Sequence, residues 1–457
     1  MGLASRPEAS LDEASPGPCP GSGTLTLDIH KPGKQGFERS ETQSLELRLL
    51  RGQVMRTTVA VVRTNQGPTQ EQIEAAVRKA VDLAGGLPRA VGKGSTVLIK
   101  PNLVAPRPPE TGATTDPRVC KAIADMVSAR GARPIIAESS FVGLDTEEVI
   151  KVAGYDKLRQ DGYEVVDLKK RGTETVTIPV PEGVALKEVS LPKLVVEADA
   201  IIDVPKMKTH DQSGVTLSVK NMKGVLPDVW KRRFHHTYGV FQSTADLLTV
   251  IRPAFSIVDG IVAMQGVGPA LGEAIEMDLV VAGRDAVAVD AVVGAVMGFD
   301  LDECGCVREA AARGLGVGDL GEIDVVGEPI ASVQRRFKRS DEAIAEAIQL
   351  PPGFKLIIDE KACSGCRNQI LSTLFDLKDA NLLEMAAGWT VLSGRFDELP
   401  DVPRERLLLV GACLAEFRDA GTFVEGCPPN SRDVIRGFGL KQAVGMVDID
   451  ALDAQEG

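Results

Sequence analysis

Eight cysteines and four histidines are spread through 457 residues, and the cysteines nearest the C-terminus have a spacing that can do chemistry. Cys363, Ser364, Gly365 and Cys366 form a Cys-x-x-Cys step, whose glycine permits the turn that aims two thiolates at one centre. Cys413 lies in one apolar-flanked loop and Cys427 in another, the latter followed by Pro428 and Pro429. Four thiolates complete a tetrahedral zinc site or an iron–sulfur cubane. Zinc modules repeat a tight pair on each side of the metal, whereas thirteen residues separate Cys413 from Cys427. A Cys-Pro step is common among iron–sulfur ligands. The expected metal ligands are therefore Cys363, Cys366, Cys413 and Cys427, with a [4Fe–4S] cluster favoured over zinc. A thioredoxin-like use of the first pair leaves Cys413 and Cys427 unexplained.

A second concentration of chemistry lies between Pro205 and Gly224. Lys206, Lys208, His210, Lys220, Asn221 and Lys223 crowd there in a chain whose formal net charge is −12. Such a run is often a solvated face. Here it follows an apolar strand-like stretch and is interleaved with Gly214 and Gly224, so a loop lining an anion pocket is an equal reading. Lysines would neutralise a carboxylate or phosphate, and glycines would let backbone N–H groups approach it. His210, His235 and His236 could each be an acid or base, a metal ligand, or a satisfied polar residue. Asp259 and Asp290 could join them, although Asp290 sits in a helical pattern and can equally cap or pair. The glycines from Gly260 to Gly272 suggest a flexible loop, but their spacing departs from a dinucleotide fingerprint.

The elements that would position these residues read as α/β. From Val59 onward short apolar runs alternate with amphipathic stretches, the mark of βαβ units around a mostly parallel sheet with flanking helices. Strands are expected at 59–62, 96–99, 133–137, 163–167, 199–204, 254–258 and 279–282. Helices are expected at 71–83, 117–129 and 285–297, the second started by Thr115 or Asp116 with Pro117 in its first turn. Ligands of open parallel sheets bind beyond the carboxyl ends of strands, where Lys100, Glu138, Lys206, Lys208 and Asp259 fall. The βα rhythm stops after about Pro329. Residues 1–54 read as a disordered extension, with a start at Met55 as the alternative, 55–330 as the α/β domain, and 331–457 as a smaller domain carrying the four cysteines.

Composition narrows the function classes. With 44% hydrophobic and 25% charged residues the chain resembles a globular protein. Its acidity argues against a general nucleic-acid or anionic-membrane surface. No stretch of about 18 consecutive apolar residues suggests a membrane span. No export signal is read, so a cytoplasmic location and reduced thiols are expected. Cys120, Cys304 and Cys306 then read as buried thiols. Aromatic residues, at 4%, give no hint of a stacking pocket for a flavin or nucleotide.

Four ordered motifs make the pattern familiar: Lys100-Pro101-Asn102-Leu103, Pro205-Lys206-Met207-Lys208-Thr209-His210, Val219-Lys220-Asn221-Met222-Lys223-Gly224, and Val258-Asp259-Gly260-Ile261. Together they resemble the iron–sulfur centre proteins of domain-of-unknown-function family 362, over roughly residues 59–298. The resemblance implies an α/β domain, sometimes followed by a cluster-binding segment, and supplies no reaction. Many similar chains end in a ferredoxin module with two Cys-x-x-Cys-x-x-Cys runs. This one departs there, since Arg367 to Ile370 contains no third cysteine.

The reading that follows is a cytosolic iron–sulfur redox protein, a reductase acting on a small anionic substrate and supplied by an electron-donor protein. In it His210, Lys208 and Asp259 are the catalytic candidates, while Lys100, Asn102, Lys206, Lys220, Asn221 and Lys223 bind substrate. The alternative is a non-enzymatic electron carrier or assembly factor, with a structural cluster or zinc, that docks a partner protein. A zinc-stabilised transferase or hydrolase is a third reading.

Overall fold

Val59, Ala60, Val61 and Val62 are all buried, so both faces of this strand are covered. The computed structural model describes residues 56–359 and 364–440. The expected extension at 1–54 and the ligand Cys363 lie outside the described residues. Strand β1 (Thr57–Arg63) sits inside a sheet to which β2 (Thr96–Pro101), β3 (Arg133–Glu138) and β4 (Val165–Asp167) belong at one edge. A separate hairpin is made by β5 (Thr175–Pro179) and β6 (Glu188–Pro192). The sheet continues with β7 (Ala200–Val204), β8 (Lys206–His210), β9 (Gly214–Thr216), β10 (Phe255–Gln265), β11 (Glu273–Gly283) and β12 (Ile323–Gly327). Its order is β12-β1-β11-β10-β7-β2-β3-β4, with β8 branching from β10 and β9 pairing β8. Pairing is mostly parallel; β11 is antiparallel to both neighbours, and β9 to β8.

Helices cover the two faces. On one side lie α1 (Gln70–Leu83), started by a capping box between Thr69 and Gln72, and α2 (Pro117–Ala129), capped by Asp116. Ile73, Val77, Val119 and Ile123 drive them onto Ile99 and Ile136 in one core. On the other side short α3 (Ser218–Asn221), then α4 (Asp228–His236), α5 (Val240–Val250) and α6 (Ala286–Val296) follow. Val219, Phe241, Val287 and Val292 of these helices share a second core with Val61 and Val281.

Three features differ from the sequence expectation. The polar run Lys206–His210 is a strand, with all five residues buried. Its alternation is inverted, since period two puts Lys206, Lys208 and His210 on one face and Met207 and Thr209 on the other. The strand expected to end before Asp259 continues to Gln265 and bends at an irregularity between Gly260 and Val262. Much of the expected flexible glycine loop is therefore the β10–β11 hairpin. Finally, strand rhythm resumes after Pro329 in a parallel sheet of β13 (Lys355–Ile358), β14 (Thr390–Ser393), β15 (Leu407–Val410) and β16 (Thr422–Val424). Helices α7 (Ser364–Asp379) and α8 (Ser431–Gly437) pack on it around Ile370, Leu374, Val391 and Val434. Runs of four residues are too short to announce themselves by periodicity.

The turn after β10 seals β8. Lys208 Nζ donates to Pro269 O (3.0 Å) and Thr209 Oγ1 to Gly266 O (2.8 Å). A Cβ on Gly268 would lie 2.0 Å from Thr209 O, a backbone atom with little room to retreat. Gly268→Ala is expected to cost about 1–3 kcal/mol by overpacking, read as a lower urea midpoint with unchanged slope.

Candidate active site

Strand ends and one short helix converge on a cleft of about 80 Å³, room for a few water-sized groups. Asn102 and Leu103 enter from the end of β2, Glu138 to Phe141 from β3, and His210 and Thr216 from β8 and β9. Lys220, Asn221, Lys223 and Gly224 come from α3 and the turn after it, and Lys231 and His235 from α4. Asp290 of α6 starts α3, its two oxygens accepting from Ser218 N and Val219 N at 2.8 Å each. That is the capping role, and burial pushes its carboxyl up to about 7 against those two N–H groups.

Beneath the cleft is a buried polar network, in which Asp203 Oδ2 is left without a partner. Lys100 Nζ pairs with Glu138 Oε2 (2.8 Å), both side chains being buried. Glu138 also accepts from Leu103 N and Ser139 N. Asn221 Oδ1 accepts from Lys100 Nζ (3.3 Å) and Asn102 Nδ2 (2.8 Å), and its Nδ2 donates to Asp203 Oδ1 (2.7 Å). Burial drives the Asp203 carboxyl well above its ordinary range. A Cβ on Gly224 would come within 2.6 Å of both Glu138 Oε1 and Lys100 Nζ, so this turn admits glycine.

The candidate catalytic and binding residues divide by placement. Lys206 and Asp259 face each other at 2.8 Å, fully buried, and Asp259 also accepts from Asp116 N. Neither lines the cleft. Lys208 Nζ donates to Asn102 Oδ1 (2.8 Å), Ala113 O (2.6 Å) and Pro269 O (3.0 Å). Three acceptors match the three protons of an ammonium, while burial, Lys220 and Lys206 pull its pKa well down. Lys208 thus anchors the floor, and the cations that reach the cleft are Lys220, Lys223 and Lys231.

Their electrostatics are unusual. Among the described residues neither Lys220 nor Lys223 has an ion pair or hydrogen bond from Nζ. Burial lowers the pKa of Lys220, and burial together with Lys220 and Lys231 lowers that of Lys223. Lys231 donates to Ser139 O, Ser139 Oγ and Ser140 O, all neutral. Burial brings it down to about 7, with Glu138 opposing. Thr216 Oγ1, also buried at the cleft wall, has no hydrogen-bond partner.

His210 stacks on His235, with ring centroids 6.1 Å apart. Its Nδ1 lies 2.7 Å from Asp211 Oδ1, which also accepts from Gln212 N. Gln212 N also approaches Nδ1 itself, at 3.0 Å, so the shorter contact to a carboxylate, which needs a donor, favours the ring proton on Nδ1 and an accepting Nε2 against that second N–H. Burial and then Lys220 lower His210 to about 4, so the ring is neutral near pH 7.

The cysteine loops lie beyond the carboxyl ends of the parallel strands of the second sheet. Cys366 lies in the first turn of α7 after β13, Cys413 follows β15, and Cys427 follows β16. A Cβ on Gly411 would lie 2.8 Å from Cys366 Sγ, and Ala412 N donates to Gly426 O at 2.8 Å. Among the described residues, no three His, Cys, Asp or Glu side chains form a group able to hold a metal ion. Cys363, and the side chain of His236, lie outside the described residues. Cys120, Cys304 and Cys306 are buried elsewhere, and burial raises the first to about 12.

The domain of unknown function DUF362 matches residues 97–295. A thylakoid-associated protein of Synechocystis is 30% identical over 231 residues, spanning 50% of this chain and 70% of that protein. The chain belongs to the DUF362 family. A solved structure, the lactate racemase apoprotein from Thermoanaerobacterium thermosaccharolyticum, aligns over 74% of this chain and 69% of its own at 13% identity, with a TM-score of 0.35. The DUF362 match spans β2 through α6, and so includes every wall of the cleft.

Sequence reasoning missed Lys231, Thr216 and Asp211. Lys231 sits in Trp-Lys-Arg-Arg-Phe, which reads as a solvated cationic run. The available signal was its spacing of four from His235, which sets both on one helical face. The Lys100–Glu138 pair offers a direct check. Lys100→Met should destabilise the fold by about 3–5 kcal/mol by leaving a buried carboxylate unpaired, and adding Glu138→Gln should recover part of that loss in denaturant unfolding.

Proposed function

We propose that the chain is an enzyme that binds a small oxyanion, a carboxylate or phosphate, in the cleft and moves a proton at His210, in a reduction served by an iron–sulfur centre. One observation carries the binding half of this reading: Lys220 and Lys223 line the cleft without an ionic partner, beside the unpartnered Thr216 hydroxyl. Lys220 is buried and Lys223 half-buried; cations so placed repel one another and have lost hydration, so they are held at a cost that an entering anion offsets. Lys220 and Lys223 would take its charge, and Thr216 would donate to one of its oxygens. Backbone atoms of the Ser139–Phe141 turn, held by Lys231, would shape the far wall.

The proton chemistry falls to His210. Its Nδ1–H is committed to Asp211, so Nε2 can accept a proton from a bound molecule, and Asp211 steadies the imidazolium that forms. The electron source in this reading is a [4Fe–4S] cluster, or zinc in a non-redox variant, held by Cys363, Cys366, Cys413 and Cys427. When bound, such a cluster supplies electrons singly. Its support is the position of three of those cysteines beyond the carboxyl ends of one parallel sheet, and the Cys427-Pro428 step; the described residues alone do not enclose an ion. The absence of any helix long and apolar enough to cross a membrane, among the described residues, is compatible with a small substrate reaching the cleft from water.

Two measurements test the two halves. A bound anion favours the charged form of nearby lysines, so binding near pH 7 should take up protons, most readily at Lys231. Calorimetry with phosphate and with small carboxylates, in two buffers of different ionisation enthalpy, should show that uptake. Lys220→Ala should weaken binding about tenfold or more. No binding, or binding indifferent to Lys220, would remove the anion site. For the centre, protein purified without oxygen should be brown and carry roughly four iron per chain. Colourless protein with one zinc would end the redox half and leave the anion half standing.

A further inference from the structure

Helix α7 connects the two chemistries. It begins beside Cys366 and buries Ile370, Leu374 and Leu377 in the core of the second sheet. Gln369, Ser372, Thr373 and Asp376 recur at intervals of three and four, which sets them along one side of the helix. Ser372 is buried, and its Oγ donates to Asp211 Oδ2 at 2.9 Å. The other oxygen of the same carboxylate faces His210 Nδ1 at 2.7 Å. A hydroxyl from the C-terminal region is therefore one carboxylate away from the imidazole of the cleft.

We propose that Ser372 is a positioning residue for His210, so that the helix opening at the cysteine pair completes the proton-transfer site of the α/β domain. The proposal rests on the reading of His210 as the proton carrier. A carboxylate with one oxygen on His210 and the other free to rotate would orient the ring loosely. Ser372 takes up the second oxygen, and Gln212 N, shared between the first oxygen (2.9 Å) and His210 Nδ1 (3.0 Å), braces both groups. The plane of the carboxylate is then fixed, and with it the direction of the Nδ1–H bond. Asp211 N donates to Gly268 O, holding the backbone as well.

The charged groups around this pair come from several elements. Lys220 and Lys223 press on His210 from α3 and its following turn, and His235 stacks on it from α4. From α7, Asp376 senses Asp211: burial first, then Asp211 and Asp379, push its carboxyl up to about 8. That shift favours its neutral form and so reduces the negative charge beside Asp211. Asp211 itself is held below the ordinary carboxylate range; burial opposes this, and His210, Ser372 and Lys220 outweigh it. The hydroxyl of Ser372 thus tempers the carboxylate that would otherwise draw a proton onto His210 more strongly.

The test is a histidine NMR titration of the full chain, with the His210 signal assigned by its loss in His210→Gln. Ser372→Ala removes the donor to Asp211 without adding volume, so the carboxylate becomes a better acceptor and the His210 midpoint should rise by roughly half a pH unit or more. Ser372→Thr, which restores a hydroxyl, should bring it back towards the parent value. Coincident titration curves for the parent and Ser372→Ala would overturn the proposal, as would a rise that Ser372→Thr fails to reverse. Because the titration reads the imidazole itself, it decides on Ser372 whether or not an anion binds in the cleft.

Discussion

A single buried amide, Asn221, ties together the segments on which the cleft depends. Its oxygen accepts from Lys100 at the end of β2 and from Asn102 in the loop beyond. Its nitrogen donates to Asp203 on β7 and lies 3.4 Å from the carbonyls of Lys100 and Pro101. All four hydrogen-bonding positions of the amide are thereby used. Buried polar groups are costly when unpaired, and here one side chain from α3 answers partners on two strands and a loop, leaving Asp203 Oδ2 as the unpartnered atom of the group. Asp290 holds the start of α3 from α6, which helps to aim the amide at these partners. Lys220 precedes Asn221, and Lys223 follows it by two residues, so the same constraint delivers both cations to the cleft.

The lysines are distinguished by what answers their charge. Lys100 and Lys206 each face a carboxylate and serve the fold. Lys208 and Lys231 are answered by neutral oxygens, which can hold an ammonium but not cancel it. Lys220 and Lys223 are answered by nothing charged within ion-pair distance among the described residues. This gradation runs from the sheet interior to the cleft, and it concentrates positive potential in a chain that is acidic as a whole. Field focused in a low-dielectric recess acts far more strongly than the same charges on a wetted surface.

How much of this was legible in the sequence depends on which physical signal each part left. The βα units from β1 to β3 announced themselves through apolar runs and amphipathic helices, and Asp116 with Pro117 marked the start of α2. The cations of the cleft were legible as a cluster, because their density stands against the chain's acidity. Their division into structural and binding lysines was not, since it depends on partners such as Glu138 and Asp259 that lie far away in sequence. Strand β8 was hidden because its buried positions are lysine and histidine, which hydrophobic periodicity counts as polar. Of the second sheet only a possible strand at 356–359 was legible, and it is β13; the other three were hidden by their shortness. Thr216 left no signal at all; an unpaired hydroxyl becomes visible only once its neighbours are known.

The cleft and the cysteine loops also meet at a second place. Gln242 of α5 donates from Nε2 to Cys427 O at 2.9 Å. Gly239, at the corner between α4 and α5, has φ of +84°, and a Cβ there would come within 3.1 Å of Gln242 Oε1 and 4.0 Å of Pro428 O. Helix α4 carries Lys231 and His235 into the cleft, so the corner that ends α4 is also the corner on which the Cys427 turn rests. A bulkier residue at Gly239 would be strained by its backbone and would press on Gln242 at once. The position of His235 against His210 and the seating of the Cys427 turn are therefore set by one piece of backbone, and the two regions cannot be packed independently.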